Sequence, residues 1–285
     1  MNRRRVVTVP ASTANLGPGF DVFAAALSPR LTVEVEETGA FGVETDLDVP
    51  RDRSNLIVRA FEALHAADDF TFRVTTEIPL TGGLGSSASA ILAGLAAADH
   101  IFELGTDLLA QATAIEGHPD NVAASLFGGF VICHAGEVTT VAPPTGLEAI
   151  IAVPPAGHSV PTSQARAALP ESVPLGDAVA NVAHASCLAL GLDRGDFELI
   201  SRGLGDALHQ PHRAHLYPDS MALVQAAPAM GAIGATISGA GPTVLVWTDW
   251  EFTGPVLEAV KQHAGPDWDI RRVTFATEGL DVKDL

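Results

Sequence analysis

The chain has 285 residues, 47% of them hydrophobic, which is enough to build a core and too apolar for general disorder. Its 34 acidic residues against 16 basic ones leave a net charge of −18, a surface that repels phosphate backbones and anionic lipids, so neither nucleic acid nor a membrane surface is an expected partner. Only Lys261 and Lys283 are lysines, and an acidic, lysine-poor surface resembles that of proteins adapted to high salt.

At ~150 residues per domain the length corresponds to two domains or one large one. The start, Met1-Asn2-Arg3-Arg4-Arg5, is basic, but the apolar stretch Val6 to Val9 is too short for a signal sequence and Pro10 ends it. Cys133 and Cys187 lie in apolar stretches without metal-site spacing. Free thiols and a cytoplasmic setting are therefore expected. Strands are predicted at Arg5 to Val9 and, by strict alternation, at Leu31 to Glu36. A helix follows over Asn55 to Ala67, with Ser54 as its cap. Phe70 to Ile78 alternates as a strand, and a glycine-rich loop leads into an alanine-rich helix ending near Ala98. Helices are predicted at Thr106 to Glu116 and Asn121 to Leu126, then strands at Gly129 to His134 and Val138 to Ala142.

Ala142-Pro143-Pro144-Thr145-Gly146 is the best boundary. It divides the chain into 1–145 and 146–285. The second part reads as a strand at Ala149 to Val153, helices at Ser163 to Leu169, Leu175 to Leu190 and Asp196 to Gly203, and a helix at Ser220 to Ala227. Strands at Ala232 to Ile237 and Thr243 to Trp247, a helix at Gly254 to His263 and a strand at Ile270 to Phe275 complete it. Leu175 to Leu190 reads as a core helix and not a partner site. Two uncharged runs, Ile78 to Ala98 and Met221 to Thr248, have the ~20 residues a bilayer requires, but their glycines and prolines suit loops joined to buried elements better. The order is α+β, two domains that each layer helices on a mainly antiparallel sheet.

The clearest chemistry lies in Gly82-Gly83-Leu84-Gly85-Ser86-Ser87. Glycines let backbone amides approach an anion, and the helix that follows points its positive end there. A tight strand-to-helix turn needing positive φ accounts for the glycines equally well. Neither lysine follows glycine, so there is no Walker A loop, and no serine sits in a Gly-x-Ser-x-Gly elbow. Gly83 to Ala88 does fit a loose dinucleotide pattern with Glu103 at ribose distance, which would require Glu103 to end a parallel strand.

Three segments together identify a family. They are Pro10-Ala11-Ser12-Thr13-Ala14-Asn15-Leu16-Gly17-Pro18-Gly19-Phe20-Asp21, Pro79 to Ala88, and Thr236-Ile237-Ser238-Gly239-Ala240-Gly241-Pro242-Thr243. In this order they resemble the superfamily of galactokinase, homoserine kinase, mevalonate kinase and phosphomevalonate kinase. Gly117-His118-Pro119-Asp120-Asn121-Val122, Gly128-Gly129-Phe130 and Pro211-His212-Arg213-Ala214-His215-Leu216-Tyr217-Pro218 resemble the homoserine kinase branch. The resemblance implies an N-terminal ATP-binding domain like ribosomal protein S5 domain 2 and a C-terminal ferredoxin-like α/β sandwich. It also implies phosphorylation of the L-homoserine hydroxyl by ATP with Mg2+, a step of threonine biosynthesis. The alternative is another small-molecule kinase of the superfamily. A catalytically silent metabolite-binding relative is more distant, and whether the chain forms a homodimer is left open.

By that resemblance ATP is bound by Asn55, Pro79, Gly82, Gly83, Leu84, Gly85, Ser86, Ser87 and Ala88, although a helix-start asparagine such as Asn55 is equally well explained as a cap, and Ser87 and Glu116 are the magnesium ligands. L-Homoserine is bound by Asn15, Asp21, His118, Asn121, Arg166, Arg213, Ser238 and Gly239, with the two arginines holding its carboxylate. The catalytic residues are Asn121, Ser87 and Glu116. Because the Asn121 amide takes no proton at neutral pH, catalysis would rest on positioning and electrostatics. Gly85→Val is expected to weaken ATP binding and leave the fold largely intact. His209, His212 and His215 repeat at three-residue spacing, but Pro211 interrupts any helix that would align them; they read as loop or surface histidines and not as a metal site.

The charge imbalance makes a direct prediction. Like-charge repulsion reaches ~30 Å at 0.01 M salt and ~3 Å at 1 M, so Tm should rise substantially between dilute buffer and molar KCl. A flat salt dependence in thermal melts would remove the salt-adapted reading.

Overall fold

The computed structural model describes residues 3–80, 82–155 and 160–284. Thr81 of the glycine loop and the first two residues of the basic start lie outside them. The first sheet grows from a long hairpin, β1 (Arg4–Ala14) against β2 (Phe23–Glu37). Val7, Val9, Val33 and Val35 point inward by the period of two, and all are buried. The register slips between Pro10 and Ala11, where proline brings no amide hydrogen to the ladder.

Then come β3 (Gly42–Glu44), α1 (Leu56–Glu62), β4 (Phe70–Thr76), α2 (Ser86–Phe102), α3 (Leu108–Glu116), α4 (Asp120–Phe127), β5 (Phe130–His134) and β6 (Glu137–Val141). The second half supplies β7 (Leu147–Val153), α5 (Thr162–Ala167), α6 (Leu175–Arg194), α7 (Phe197–Gly203), α8 (Gln210–Arg213), α9 (Pro218–Ala226), β8 (Gly234–Ile237), β9 (Val244–Asp249), α10 (Thr253–Ala264), β10 (Asp269–Thr274) and β11 (Asp281–Asp284). The first sheet runs β11-β1-β2-β4-β3, with β5 also on β2 and β6 on β5; the second runs β10-β7-β9-β8.

One apolar cluster joins the two sheets, reaching from Val7, Phe61 and Leu92 to Ile151 and Leu245. At the joint Trp247 of β9 packs against Phe130 of β5 and Phe275, with centroids 5.9 and 5.2 Å away. Its indole N–H donates to Thr236 Oγ1 at 3.1 Å, so the ring is buried without an orphan donor. The sheets thus share a core, which fixes the cleft between them.

Several expectations need correction. Asn55, not Ser54, caps α1: its Oδ1 accepts from Ile57 N at 3.0 Å, while the Ser54 hydroxyl donates to Asp52. Ile270 to Phe275 does not end the fold, because β11 returns to pair with β1. The short elements β3, α8 and β11 went unpredicted; three or four residues carry too little periodicity to be read. Nor is α6 a core helix. Leu175, Val179 and Val182 are 80%, 61% and 66% exposed, and the helix buries Leu188, Gly191 and Leu192 against α7. It is the one helix among the described residues long and apolar enough to cross a bilayer, with 22% of that window buried. Glu103 is the C-cap of α2 and ends no strand, so the dinucleotide reading fails. The uncharged run from Met221 folds into α9, β8 and β9.

The cap assignment can be tested. Asn55→Ala should cost ~1 kcal/mol through loss of the α1 cap, and somewhat more because Asn55 Nδ2 also donates to Pro50 O at 2.8 Å. Ser54→Ala should stay within ~0.5 kcal/mol, as an exposed substitution. Denaturant unfolding of the two variants compares them.

Candidate functional site

The glycine loop connects β4 to α2, and three of its carbonyls are each taken by the protein. Leu84 O accepts Ser12 N at 3.1 Å, Gly82 O accepts Thr243 N at 3.2 Å, and Gly83 O accepts the Ser238 hydroxyl at 2.6 Å. With the carbonyls turned to the protein, the amides of the loop and of the first turn of α2 are what remain for an anion. At Gly83 (φ +88°) an added Cβ would lie 2.2 Å from Ser238 O, and at Gly85 (φ +68°) 2.0 Å from Ser12 Oγ. No side chain fits at either position. Gly85→Val would therefore push against β1 and disturb the fold, contrary to expectation.

Beyond the loop lies a cavity of about 280 Å3. Asn15, Asp21, Gly82, Gly83, Leu84, Gly85, Ser86, Ser87, Glu116, His118, Asn121, Arg166, Arg213 and Gly239 all line it. Four expected site residues do not. Asn55 lines a neighbouring cavity of about 410 Å3, mainly apolar, which shares Ser86 and Ser87 with the first. Its amide is spent on the α1 cap and on Pro50. Ala88 and Ser238 are fully buried behind the loop, and Pro79 lines neither cavity.

The walls are built by long-range bonds. Asn15, held at φ 72°, donates from Nδ2 to Gly239 O at 2.8 Å and accepts Asp21 N at 3.0 Å, so it joins two turns of the cleft. Asn121 at the start of α4 accepts the Ser12 hydroxyl at 2.9 Å, and Ser12 in turn accepts from Ser125 at 3.0 Å. With Oδ1 occupied, the NH2 group of Asn121 is its remaining donor. Asp120 lies 2.6 Å from His118 Nδ1 and accepts Asn121 N at 2.7 Å; its hydrogen bond to the imidazole raises the His118 pKa. Ser87 Oγ donates to Glu116 Oε1 at 2.5 Å, bringing two hard oxygens side by side at the N-terminal end of α2.

Two arginines stand opposite, over the Phe20 ring: Arg166 at 5.5 Å and Arg213 at 5.1 Å from its centroid. Their situations differ. Arg166 makes a bidentate pair with Asp21, at 2.8 and 3.0 Å, a bond that raises its pKa further. Arg213 is only 2% exposed and pairs with no carboxylate among the described residues. Burial lowers its pKa, yet a guanidinium stays charged. Asp21 and Asp206 act on it only at a distance, and a buried cation with no carboxylate in contact can receive an anion from outside.

Sequence reasoning missed Ser12, Phe20, Asp120 and His209 as parts of this site. The first three stood inside quoted motifs, but nothing in their spacing showed which partners they meet. His209, expected in a loop or on the surface, is completely buried.

Comparison with known proteins shows what the whole chain is similar to. The chain matches the family described as GHMP kinases N terminal domain over residues 55–129 and GHMP kinases C terminal over residues 188–260. It is 38% identical over 271 residues to homoserine kinase of Thermus thermophilus, covering 91% of this chain and 92% of the relative. Homoserine kinase of a Nostoc species is also 38% identical, over 292 residues, with 96% and 97% covered. Among solved structures, homoserine kinase from Cytophaga hutchinsonii superposes with a TM-score of 0.83 at 30% identity, covering 99% of this chain and 98% of that one.

The His118–Asp120 bond predicts a pH dependence. Since the folded-state pKa is raised, the protonated ring contributes stability that is fully present below the unfolded value of ~6.5 and is lost as pH rises through the folded pKa. Asp120→Asn should move the His118 titration back toward ~6.5 and flatten that part of the stability profile. An NMR titration of both proteins, with denaturant unfolding across the range, checks it.

Proposed function

The chain belongs to the GHMP kinases, and we propose that its site works as follows on ATP and L-homoserine. It is a kinase acting on homoserine, and its fold is the α+β fold of that family, a ribosomal protein S5 domain 2-like part followed by a ferredoxin-like one. The γ-phosphoryl group of ATP passes to the side-chain hydroxyl, giving ADP and O-phospho-L-homoserine, a product that would feed threonine biosynthesis in the cytoplasm. We divide the chain into an ATP-binding part, 1–145, and a second part, 146–285, with β11 crossing back to the first sheet.

The observation that carries the substrate assignment is Arg213, a buried cation in contact with no carboxylate among the described residues, which lines the same cavity as the glycine loop. A carboxylate is the planar anion that a guanidinium fork accepts best. Asp21 and Arg166 form a charged pair on the same wall, suited to the ammonium and carboxylate ends of an amino acid. The apolar cavity beside Ser86 suits the adenine ring, and the loop amides suit the phosphates. Ser87 and Glu116 fit a magnesium ion, which takes one or two protein oxygens and fills its shell from phosphates and water. When bound it neutralises phosphate charge.

Among the described residues neither Asn121 nor Asp120 is placed as a base for the hydroxyl. Asn121 is an amide, and Asp120 is committed to His118 and to a backbone amide. Ser12 holds Asn121 so that its NH2 group can orient the hydroxyl oxygen. Catalysis then rests on positioning and on charge arranged before the reaction.

A coupled ADP-release assay should show turnover with homoserine well above serine, threonine or mevalonate. Arg213→Lys keeps the charge but loses the fork, and should raise KM for homoserine by roughly one to two powers of ten, the worth of a charge-assisted bond of ~1.5–3 kcal/mol. KM for ATP should move little. An unchanged homoserine KM in Arg213→Lys and Arg213→Leu would remove Arg213 from the carboxylate site.

A further inference from the structure

Arg213 leaves α8 with its guanidinium between Phe20, the Ala165 carbonyl and His209. Nε donates to Ala165 O at 2.9 Å, and Nη1 lies 3.4 Å from His209 Nδ1. The His209 ring is absent from the cavity wall and fully buried, packed at a tilt against Phe20 with centroids 5.4 Å apart. Its other nitrogen, Nε2, lies 2.8 Å from Gly17 O.

These two contacts determine the state of the ring. Arginine nitrogens only donate and a carbonyl only accepts. Both contacts are hydrogen bonds only when Nδ1 carries a lone pair and Nε2 carries the proton. Burial acts in the same direction by pushing the His209 pKa down. Asp206 lies nearby, 3.4 Å from Nε2, but its oxygens already accept the backbone amides of Leu208, His209 and Gln210. Gln210 anchors the same helix to the second sheet by accepting Ile237 N at 2.7 Å. The lone pair on Nδ1 is thus aimed at Arg213 from a rigid base.

We infer that His209 is a positioning residue for the substrate carboxylate: through an unprotonated Nδ1 it sets the plane of the Arg213 guanidinium. Nε and Nη1 are committed to protein acceptors, and Nη2 has no protein partner among the described residues. The inference rests on the proposal that Arg213 receives the carboxylate.

Two amides separate the two nitrogens. In His209→Asn the side-chain oxygen takes the place of Nδ1 and keeps an acceptor for Arg213. In His209→Gln the amide reaches the Nε2 position, keeps a donor for Gly17 O and loses the acceptor. His209→Gln should raise homoserine KM about tenfold, as expected for loss of a hydrogen bond to a charged group, with ATP KM unchanged. His209→Asn should stay near the parent value even where its Tm falls as far. In an Arg213→Lys background, His209→Gln should add nothing further.

Equal homoserine KM changes in the Asn and Gln variants, or none in Gln where Arg213→Lys shows one, would overturn the inference and leave the carboxylate reading standing. No change in Arg213→Lys itself would remove both. Should neither His209 variant fold, the parent protein still decides: 15N NMR at neutral pH should show an imidazole protonated at Nε2 alone, and a proton on Nδ1 would overturn the proposal.

Discussion

The glycine loop is clamped from both sheets at once, and the site depends on that clamp. Ser12 of β1 holds Leu84, while Ser238 and Thr243, at the turn between β8 and β9, hold Gly83 and Gly82. A loop tied to one sheet alone would follow that sheet's fluctuations. Tied to both, its amides stay aligned with α2 and the cleft keeps its width. Glycine is required here because the clamp draws the Ser238 carbonyl and the Ser12 hydroxyl closer than a Cβ permits.

Ser12 also connects the loop to the start of α4, since its amide holds Leu84 and its hydroxyl holds Asn121. In the proposed phosphoryl transfer the rate comes from geometry and charge, and a buried serine fixed on a central strand is a suitable anchor for both. The apolar joint of Phe130, Trp247 and Phe275 supports the same arrangement from beneath.

Charge is distributed with a purpose that the overall balance conceals. A chain with net charge −18 should repel anionic substrates. It concentrates two of its few arginines over one aromatic ring, pairs one with Asp21 and leaves the other dry. Positive charge is therefore concentrated at one wall of the cleft, although Asp21, Glu116 and Asp120 line the same cavity. Long-range repulsion is screened within ~10 Å at 0.1 M salt, whereas the buried arginine acts at contact.

The sequence by itself determined what is local. The alternation of β2, the helix after the glycine loop, the loop's need for positive φ and the motifs lining one cavity all depend on residues within a turn or two of each other. Backbone sterics and a period of 2 or 3.6 are enough to show them. Only the tertiary structure decided which groups meet across the chain. Ser12 and Asn121 are 109 residues apart, and His209 reaches back 192 residues to Gly17. No spacing encodes such a pairing, because it depends on where the two sheets place their turns. For the same reason His209 read as a surface residue until its neighbours were known, α6 read as core although it packs by only one side, and β11 could not be seen returning to β1. Asn55 and Ser54 were equally good caps by residue type; in the fold the Asn55 amide caps α1 and also holds Pro50, while Ser54 turns to Asp52.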